Sequence, residues 1–413
     1  MLAWFNDLTA RERRTMGACF GGWSLDALDV MIFAFVIPSL IALWHISAGQ
    51  AGELATITLL VSAFGGWLAG ALSDRWGRVR VLQISILWYA FFTFLCGWAQ
   101  NYQQLFWFRA LQGLGFGGEW AAGAVLMGEV IRDQYRGRAV GIVQTGWSIG
   151  WGAAALLYTL FSSIMPEAYA WRALFWIGLA PALLVFWIRR YVEEPNLPRD
   201  TRPVGTALTQ IFAALKPPYL STTWRVALMV TGAQGGSYAL TIWLPTYLKT
   251  VKHMSAVGTG SYLLVLILGA FFGFVSGAYL ADGIGRKATF MVSAIGSMVL
   301  TVVYIFAPLS NDMILLVGFL LGYISLMMFS PMGAFMTELY PTAVRGAGQG
   351  FCYNAGRGIG ALFPAFVGFL SLRLGLGAAI AIFSLVAYGI MIVALLLLPE
   401  TRGRPLASLE RPA

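Results

Sequence analysis

The chain of 413 residues is strongly apolar and weakly charged: hydrophobic residues make up 59% of it, and Asp, Glu, Lys and Arg together only 11%. A typical soluble domain carries about 25% charged residues, so a soluble fold of this length could not bury so much apolar surface. The net charge of +9 comes from short basic clusters between apolar stretches, which is typical of membrane-protein loops rather than of a nucleic-acid-binding surface. We therefore expect a protein embedded in the lipid bilayer that binds no nucleic acid.

Twelve apolar segments are each long enough to cross a bilayer as a helix, which takes about 20 residues. They form two sets of six, separated by a polar stretch rich in Pro, Arg and Glu. The predicted spans 1 to 12 cover, in order, residues 17–43, 54–73, 81–98, 105–127, 138–161, 172–190, 225–248, 258–280, 288–308, 313–336, 347–371 and 376–398. The sequence thus predicts an all-α membrane protein with an N-terminal six-helix bundle (1–190), a cytoplasmic linker (191–224) and a C-terminal six-helix bundle with a cytoplasmic tail (225–413).

The placement of Lys and Arg predicts the orientation. If the N-terminus is cytoplasmic, the inner loops and tails hold 21 of the 27 basic residues and the outer loops hold four. Because basic residues collect on the cytoplasmic side of membrane proteins, both termini are predicted to lie inside the cell, in a bacterial inner membrane. The polar first 16 residues and the long apolar run after them do not fit a cleavable signal peptide.

Two motifs recur in the second half at nearly the same offset, about 208 residues. The first is the loop G-A-L-S-D-R-W-G-R at 70–78, which recurs as A-Y-L-A-D-G-I-G-R-K at 278–287. The second is a Glu followed seven residues later by Arg-Gly, at the ends of spans 4 and 10. The charged members of the motifs are Asp74, Arg78, Glu129 and Arg136 in the first half, and Asp282, Arg286, Glu338 and Arg345 in the second. Two matches at one offset indicate parallel six-helix repeats, a carrier design with its binding site between the repeats.

The loop motif in a chain of six plus six spans resembles the major facilitator superfamily, and the likeness covers nearly the whole chain. The resemblance implies two six-helix bundles related by a pseudo-two-fold axis, with transport by alternating access. It also implies that Asp74 lies near the start of span 11 and pairs with Arg136 or Arg138, and that the eight charged motif residues form a cytoplasmic gate. A carboxylate at a helix N-terminus is stabilised by the helix dipole. A loop shaped only by the positive-inside rule would explain the basic residues but not the recurring Asp.

Five ionisable residues lie within the predicted spans: Asp26, Asp29, Arg109, Glu119 and Arg357. Such residues are costly in a bilayer and by default mark a functional site. Asp26 and Asp29 are three residues apart and so share one helical face. At 1.5 Å per residue, Asp29 lies roughly 18 Å from the start of span 1, and Arg357 lies about as deep in span 11. Both are therefore predicted near the membrane midplane, one in each half.

These residues predict an anion site with acids for proton coupling. A guanidinium stays charged and presents a planar fork that matches a carboxylate. An acid in dry surroundings near a second acid can take up and release protons near neutral pH. The predicted proton-coupling residues are Asp26, Asp29 and Glu119, and the predicted substrate-binding residues are Arg109, Gln234, Tyr238, Tyr353, Asn354 and Arg357.

A structural role is the alternative for several of these residues. Arg109 and Glu119 could tie span 4 to its neighbours, and Asp26 could line a hydrated vestibule without titrating. Polar residues such as Gln234, Tyr238 and Asn354 often join packed membrane helices.

Two sequence patterns resemble enzyme motifs, but their positions indicate helix packing and not a catalytic or nucleotide-binding site. G-W-S-I-G at 146–150 fits a nucleophile elbow but lies inside an apolar span. G-x-G-x-x-G at 113–118 follows no strand and is interpreted as close helix packing. The three cysteines lie in apolar spans at no metal-ligand spacing. We therefore predict a protein that is not an enzyme and has no cofactor, metal or disulfide.

Within the superfamily, two branches share local features with this chain. The D-x-x-D at 26–29 is similar to that of aromatic-acid:proton symporters, and Y-N-A-G-R at 353–357 is similar to sialate and monocarboxylate symporters. The resemblance implies a monomeric, proton-coupled symporter that imports a small organic acid: an aromatic acid, sialic acid or another mono- or dicarboxylate. The alternative is a neutral sugar or metabolite carrier, or a drug:proton antiporter, in which Arg109 and Arg357 are structural.

Overall fold

The computed structural model describes residues 3–192 and 212–402, with the side chains of some residues inside helices outside the described set. All twelve predicted spans are helical. A four-residue helix (Ala3–Asn6) precedes them, and a 3-10 turn (Phe212–Leu215) precedes span 7. Eight spans are single helices: Ala10–Trp44 (span 1), Ala48–Trp76 (2), Arg78–Cys96 (3), Tyr102–Val130 (4), Asp133–Ile164 (5), Ala256–Ile284 (8), Arg286–Phe306 (9) and Leu376–Leu396 (12).

The remaining four spans are each broken into two helices. These are Glu167–Ile177 and Pro181–Tyr191 (span 6), Leu220–Thr241 and Leu244–Thr250 (7), Asn311–Met327 and Phe329–Thr337 (10), and Thr342–Gly360 and Phe363–Leu374 (11). In spans 6, 7 and 11 a proline occupies the first turn of the second helix. Proline has no N–H and clashes with the preceding turn, so a helix tends to restart there. Three of the four breaks lie in the second half.

Ten of the spans are long and apolar enough to cross a membrane by length and composition alone, within the described residues. Spans 4 and 7 are the two that do not meet this measure. Span 4 carries Arg109 and includes residues whose side chains are not described, and the first helix of span 7 is rich in Thr, Ser, Gly and Gln. Several polar residues of both helices are nevertheless buried within the bundle, among them Arg109 and Gln112 of span 4 and Gln234 and Ser237 of span 7.

The glycines of 113–118 are packing positions, as the sequence interpretation expected. A Cβ on Gly115 would lie 2.8 Å from both the carbonyl oxygen of Ser85 and the backbone nitrogen of Tyr89. On another side of the same helix, a Cβ on Gly113 would overlap the carbonyl oxygen of Thr58. Glycine therefore lets span 4 approach the backbones of spans 2 and 3.

The two halves meet mainly along spans 2 and 11 and along spans 5 and 8. On the predicted outer side, the backbones of spans 2 and 11 touch: a Cβ on Gly52 would lie 2.5 Å from the carbonyl oxygen of Pro364. One turn further, the backbone N–H of Ala365 donates to Thr56 Oγ1 at 3.2 Å. The interface between the halves is closed at this level.

An ion pair joins the halves at the outer ends of spans 6 and 7. Lys249 Nζ lies 2.6 Å from Glu167 Oε1, and the same carboxylate oxygen accepts a hydrogen bond from Ser39 at 2.8 Å. Nearer the predicted cytoplasmic side, Trp67 of span 2 stacks on Phe351 of span 11 with ring centroids 5.8 Å apart. Between these two levels the bundle encloses a cavity.

Candidate substrate site

The cavity lies between the two halves, and its empty space is about 470 Å³ when the part open to solvent is included. Four of its lining residues come from spans 1, 4 and 5 of the first half, and nine from spans 7, 8, 10 and 11 of the second. The lining residues are Trp23, Phe116, Gln144, Trp147, Gln234, Ser237, Tyr238, Thr241, Phe274, Leu326, Phe329, Tyr353 and Arg357. A solute held here would contact both halves at once, which alternating access requires.

Arg357 is the charged residue among those lining the cavity. Its side chain is almost fully buried, with the residue 1% exposed. It lies in the last turn of the helix Thr342–Gly360. Span 11 breaks just after this turn, so the partial negative charge of a helix C-terminus falls inside the bundle, where it stabilises a cation. The break in span 11 therefore helps to keep a guanidinium charged away from water.

The Arg357 guanidinium retains unused hydrogen-bonding capacity. Its Nη2 donates to the hydroxyl of Tyr353 at 3.3 Å, whereas Nε and Nη1 make no hydrogen bond to any residue the structure describes. A guanidinium has five N–H donors, and an unpaired buried donor is unfavourable. Asp26 and Tyr238 also interact electrostatically with it. An anionic ligand in the cavity would satisfy the remaining N–H groups.

Aromatic rings surround this cation. The guanidinium carbon of Arg357 lies 5.0 Å from the ring centroid of Tyr353 and 5.2 Å from that of Phe116. Phe116 belongs to the first half, so the cation of span 11 rests on a ring of span 4. Trp23 and Trp147 pack together with ring centroids 5.0 Å apart and extend the aromatic wall.

A second buried polar cluster lies entirely within the first half. Gln112 Nε2 donates to Asp29 Oδ2 and, at 2.8 Å, to the hydroxyl of Thr93. Gln112 Oε1 accepts from Arg109 Nη1 at 3.2 Å. Gln112 therefore links Asp29 and Arg109, the two charges that the sequence places in spans 1 and 4.

The guanidinium of Arg109 makes its contacts within the first half. Its Nε donates to the carbonyl oxygen of Leu54 at 3.2 Å, and its guanidinium carbon lies 3.8 Å above the ring of Phe33. Asp29 is 2% exposed, and its Oδ1 has no hydrogen-bond partner among the described residues. Neither Arg109 nor Asp29 lines the cavity.

The structure brings four of the six predicted substrate residues to the cavity: Gln234, Tyr238, Tyr353 and Arg357. Arg109 lies in the separate first-half cluster. Asn354 packs against Gly66 of span 2 and donates to the carbonyl oxygen of Gly350 at 3.0 Å. The side chain of Glu119 lies outside the described residues.

Sequence reasoning did not single out most of the cavity wall. Trp23 lies one turn before Asp26 and so shares its face, which was the available signal. Gln144 is an amide in an apolar span, as Gln234 is, and could have been flagged on the same ground. The remaining aromatic residues are indistinguishable in sequence from those that face lipid.

Three of the four second-half residues predicted to form a gate, Asp282, Arg286 and Glu338, cluster at the end of the bundle where the C-terminal segment packs. Arg286 pairs with Asp282, and its Nη2 lies 3.2 Å from Glu338 Oε1. Glu338 also accepts a hydrogen bond from the hydroxyl of Thr401 in the C-terminal segment. Arg345 donates instead to the carbonyl oxygen of Tyr340 at 3.2 Å.

Glu400 anchors the C-terminal segment to this cluster. Its carboxylate accepts hydrogen bonds from the backbone N–H groups of Arg286, Lys287, Thr401 and Arg402 at about 3 Å. Partial burial acts to raise the pKa of Glu400, but the four N–H groups outweigh it and the pKa lies below its usual range.

The first-half gate residues are described only in part. Arg78 Nη1 donates to the carbonyl oxygen of Ser73 at 3.1 Å. The side chains of Asp74, Glu129 and Arg136 lie outside the described residues.

Twelve helical spans in two related halves, with a cavity between them that is lined by a charged residue, define a polytopic membrane transport protein. The chain belongs to the major facilitator superfamily: the model of that family matches residues 19–363. This finding confirms the fold class expected from the sequence, and the chain is a transporter rather than an enzyme.

The names of two relatives within the family describe the transport of organic acids. The chain is 41% identical over 409 residues to a protein of Cupriavidus pinatubonensis described as "Probable 4-methylmuconolactone transporter", covering 98% of this chain and 94% of the relative. It is 30% identical over 361 residues to the "Cis,cis-muconate transport protein" of Acinetobacter baylyi, covering 84% of each. The crystal structure of a D-xylose-proton symporter matches with a TM-score of 0.72 and 18% identity over 95% of this chain and 99% of that one, a likeness of fold alone.

Proposed function

We propose that the protein is a proton-coupled symporter that imports a small organic acid by alternating access. The observation that carries the proposal is Arg357: a buried guanidinium in the cavity between the halves, with two nitrogens that make no hydrogen bond to a described residue. A buried guanidinium whose N–H groups lack acceptors is unfavourable unless a bound ligand accepts hydrogen bonds from them and neutralises the charge. The names of the relatives, a probable 4-methylmuconolactone transporter and a cis,cis-muconate transport protein, support a small organic acid as the solute but do not fix its charge.

The proposed substrate contacts are Arg357, Tyr353, Tyr238 and Gln234. Arg109 and Asn354 are proposed to act through neighbours, Arg109 by holding the Asp29 cluster and Asn354 by packing span 11 against span 2. The proposed proton acceptors are Asp29 and Asp26, with Glu119 as a further candidate. Asp26 is suited to coupling because it interacts with Arg357 while it lies one turn from Asp29 on span 1.

The proposed setting is a bacterial inner membrane with both termini in the cytoplasm, as the distribution of Lys and Arg predicts. The bundles 1–190 and 225–413 would rock against each other as a monomer, joined by the linker 191–224, most of which lies outside the described residues. Substrate and protons are the proposed partners.

The anion site is tested by Arg357→Lys in proteoliposomes, with Arg373→Lys as the matched control. Arg373 lies on the same span but is exposed at its outer end. A panel of organic acids is first screened by thermal shift, and uptake of the best ligand is then measured. We expect Arg357→Lys to lower uptake at least about tenfold, because lysine lacks the planar fork, while Arg373→Lys transports normally. Normal uptake of every bound acid by Arg357→Lys would overturn the proposal in favour of a neutral-solute carrier or drug antiporter.

Proton coupling is tested separately by Asp29→Asn, with Asp312→Asn at an exposed outer position as control. An imposed pH gradient should drive accumulation in the wild type and in Asp312→Asn. We expect Asp29→Asn to lose accumulation but keep exchange of internal for external substrate. Full accumulation in Asp29→Asn would exclude this carboxylate as the proton acceptor.

A further inference from the structure

The charged groups that line the cavity favour a substrate with one carboxylate over a substrate with two. Of its described lining residues, Arg357 carries the formal charge and the other twelve are neutral. A monoanion would be neutralised by this guanidinium. A dianion would leave one negative charge buried without a partner, which is strongly unfavourable. Asp26 is buried and interacts with Arg357, so the guanidinium can neutralise one substrate carboxylate when Asp26 is protonated, and no cation is then left for a second carboxylate.

The other intramembrane arginine does not supply a second anion site. Arg109 is 2% exposed, and its N–H groups are directed to Leu54 and Gln112. Its positive charge lies with Asp29 in the first-half cluster and does not reach the cavity lining. Arg109 and Arg357 therefore belong to two separate clusters of the described residues.

The aromatic side chains of the cavity lining favour a substrate with a flat ring. Seven of the thirteen lining residues are aromatic: Trp23, Phe116, Trp147, Tyr238, Phe274, Phe329 and Tyr353. Two of these rings flank the guanidinium at 5.0 and 5.2 Å, so the body of an acid bound to Arg357 would emerge between them. Planar rings gain more than saturated rings from offset or edge-on contact with aromatic side chains.

The polar groups elsewhere in the lining are neutral. They are the amides of Gln144 and Gln234 and the hydroxyls of Ser237 and Thr241. Gln144 Nε2 donates to the carbonyl oxygen of Phe329 at 3.3 Å, and the buried Oε1 has no donor among the described residues. These groups suit a hydroxyl, carbonyl or ring heteroatom on the substrate, and they offer no cation to a second carboxylate.

We infer that the cavity selects a planar cyclic monocarboxylate with neutral polar substituents and rejects a dicarboxylate of the same size. The inference rests on the proposed function and narrows it. The number of carboxylates on an acid decides whether it binds. Among the acids that bind, a planar ring gives the higher affinity.

The test uses four acids and the purified full-length protein at pH 7.5, with binding measured by calorimetry. Terephthalate and its monomethyl ester share the ring and the para substitution but differ by one charge and a terminal methyl group, and benzoate and cyclohexanecarboxylate differ in planarity. We expect the monomethyl ester to bind at least about 30-fold more tightly than terephthalate. Benzoate should bind about two- to tenfold more tightly than cyclohexanecarboxylate. Equal binding of terephthalate and its ester, or failure of all four acids to bind, overturns the inference.

Failure of the inference is distinguishable from failure of the proposed function. If terephthalate binds as well as its ester and Arg357→Lys weakens both, the anion carrier stands and the monocarboxylate inference falls. If benzamide binds as well as benzoate and Arg357→Lys changes neither, the anion site itself falls.

A variant that adds a second cation provides an independent readout. Gln144→Lys places an ammonium on span 5, in the opposite half from Arg357. We expect it to tighten terephthalate binding at least about tenfold without tightening that of the monomethyl ester. Gln100→Lys, at an exposed outer position, is the control for added net charge. Retained monodispersity on size-exclusion chromatography establishes folding, and a folded Gln144→Lys that tightens both ligands equally counts against the inference.

Discussion

The guanidinium of Arg357 rests 5.2 Å from the ring centroid of Phe116, so a cation of the second half is held by an aromatic face of the first. A cation–π contact of this kind contributes about 0.5–2 kcal/mol, and more when both partners are desolvated. Arg357 is 1% exposed and Phe116 is also 1% exposed. The contact therefore ties the orientation of the proposed anion site to the position of the opposite half.

Removing the ring should weaken substrate binding without destroying the fold. For Phe116→Leu we expect the Kd of the best acid ligand to rise about three- to thirtyfold, because the aliphatic side chain fills space but has no ring quadrupole. Phe116→Tyr keeps the ring and should bind within about threefold of the wild type. Isothermal titration of both variants checks this, and wild-type affinity in Phe116→Leu would contradict a role for the ring.

The ion pair between Lys249 and Glu167 should report closure on the outer side, because it joins the two halves across 2.6 Å. Both side chains are partly exposed, so the pair contributes little to overall stability. For Lys249→Met we expect faster labelling of a cysteine placed in the outer half of the cavity, by about two- to fivefold. The charge-swapped pair, Lys249→Glu with Glu167→Lys, should restore slow labelling. Unchanged labelling in Lys249→Met would show that backbone packing alone closes this side.

Substitution of Gly115 should destabilise the first half by overpacking. A Cβ there would lie 2.8 Å from backbone atoms of Ser85 and Tyr89, which cannot rotate away. For Gly115→Ala we expect a loss of about 1–3 kcal/mol and a lower Tm in detergent. Gly389→Ala on span 12 is the matched control, since a Cβ there would meet no described atom within 4 Å. That control should be neutral or slightly stabilising, because alanine favours a helix over glycine.

The hydrogen bonds of Glu400 at the C-terminal segment should make the thermal stability of the protein depend on pH. The folded pKa of Glu400 is lowered, so its stabilising contribution is present above the unfolded carboxyl pKa of about 4.3 and is lost as the pH falls through the folded value. We expect Glu400→Gln to have a lower Tm than the wild type at pH 6. The difference should shrink as the pH falls toward about 3.5, and a gap that stays constant with pH would contradict the assignment.

The number of helices and their division into two halves could be predicted from the sequence because bilayer thickness sets segment length, and apolar segments of that length are directly visible. The grouping of Asp282, Arg286 and Glu338 was also predictable, since the repeat placed them at equivalent ends of neighbouring spans. The attachment of Glu400 to the same cluster was not, because it depends on where span 12 ends against span 9.

The sequence by itself determined how far along its helix each buried charge lies, since each residue of a helix adds 1.5 Å along the axis. It could not determine which way those charges point relative to the other helices. Arg109 and Arg357 both lie within spans, yet only Arg357 lines the cavity, while Arg109 is enclosed with Gln112 and Asp29. That separation depends on how each helix is rotated about its axis and packed against its neighbours, because successive residues turn by about 100°. Tertiary packing therefore decided that one of the two arginines lines the cavity, as the proposed anion site requires, and that the other belongs to an internal cluster.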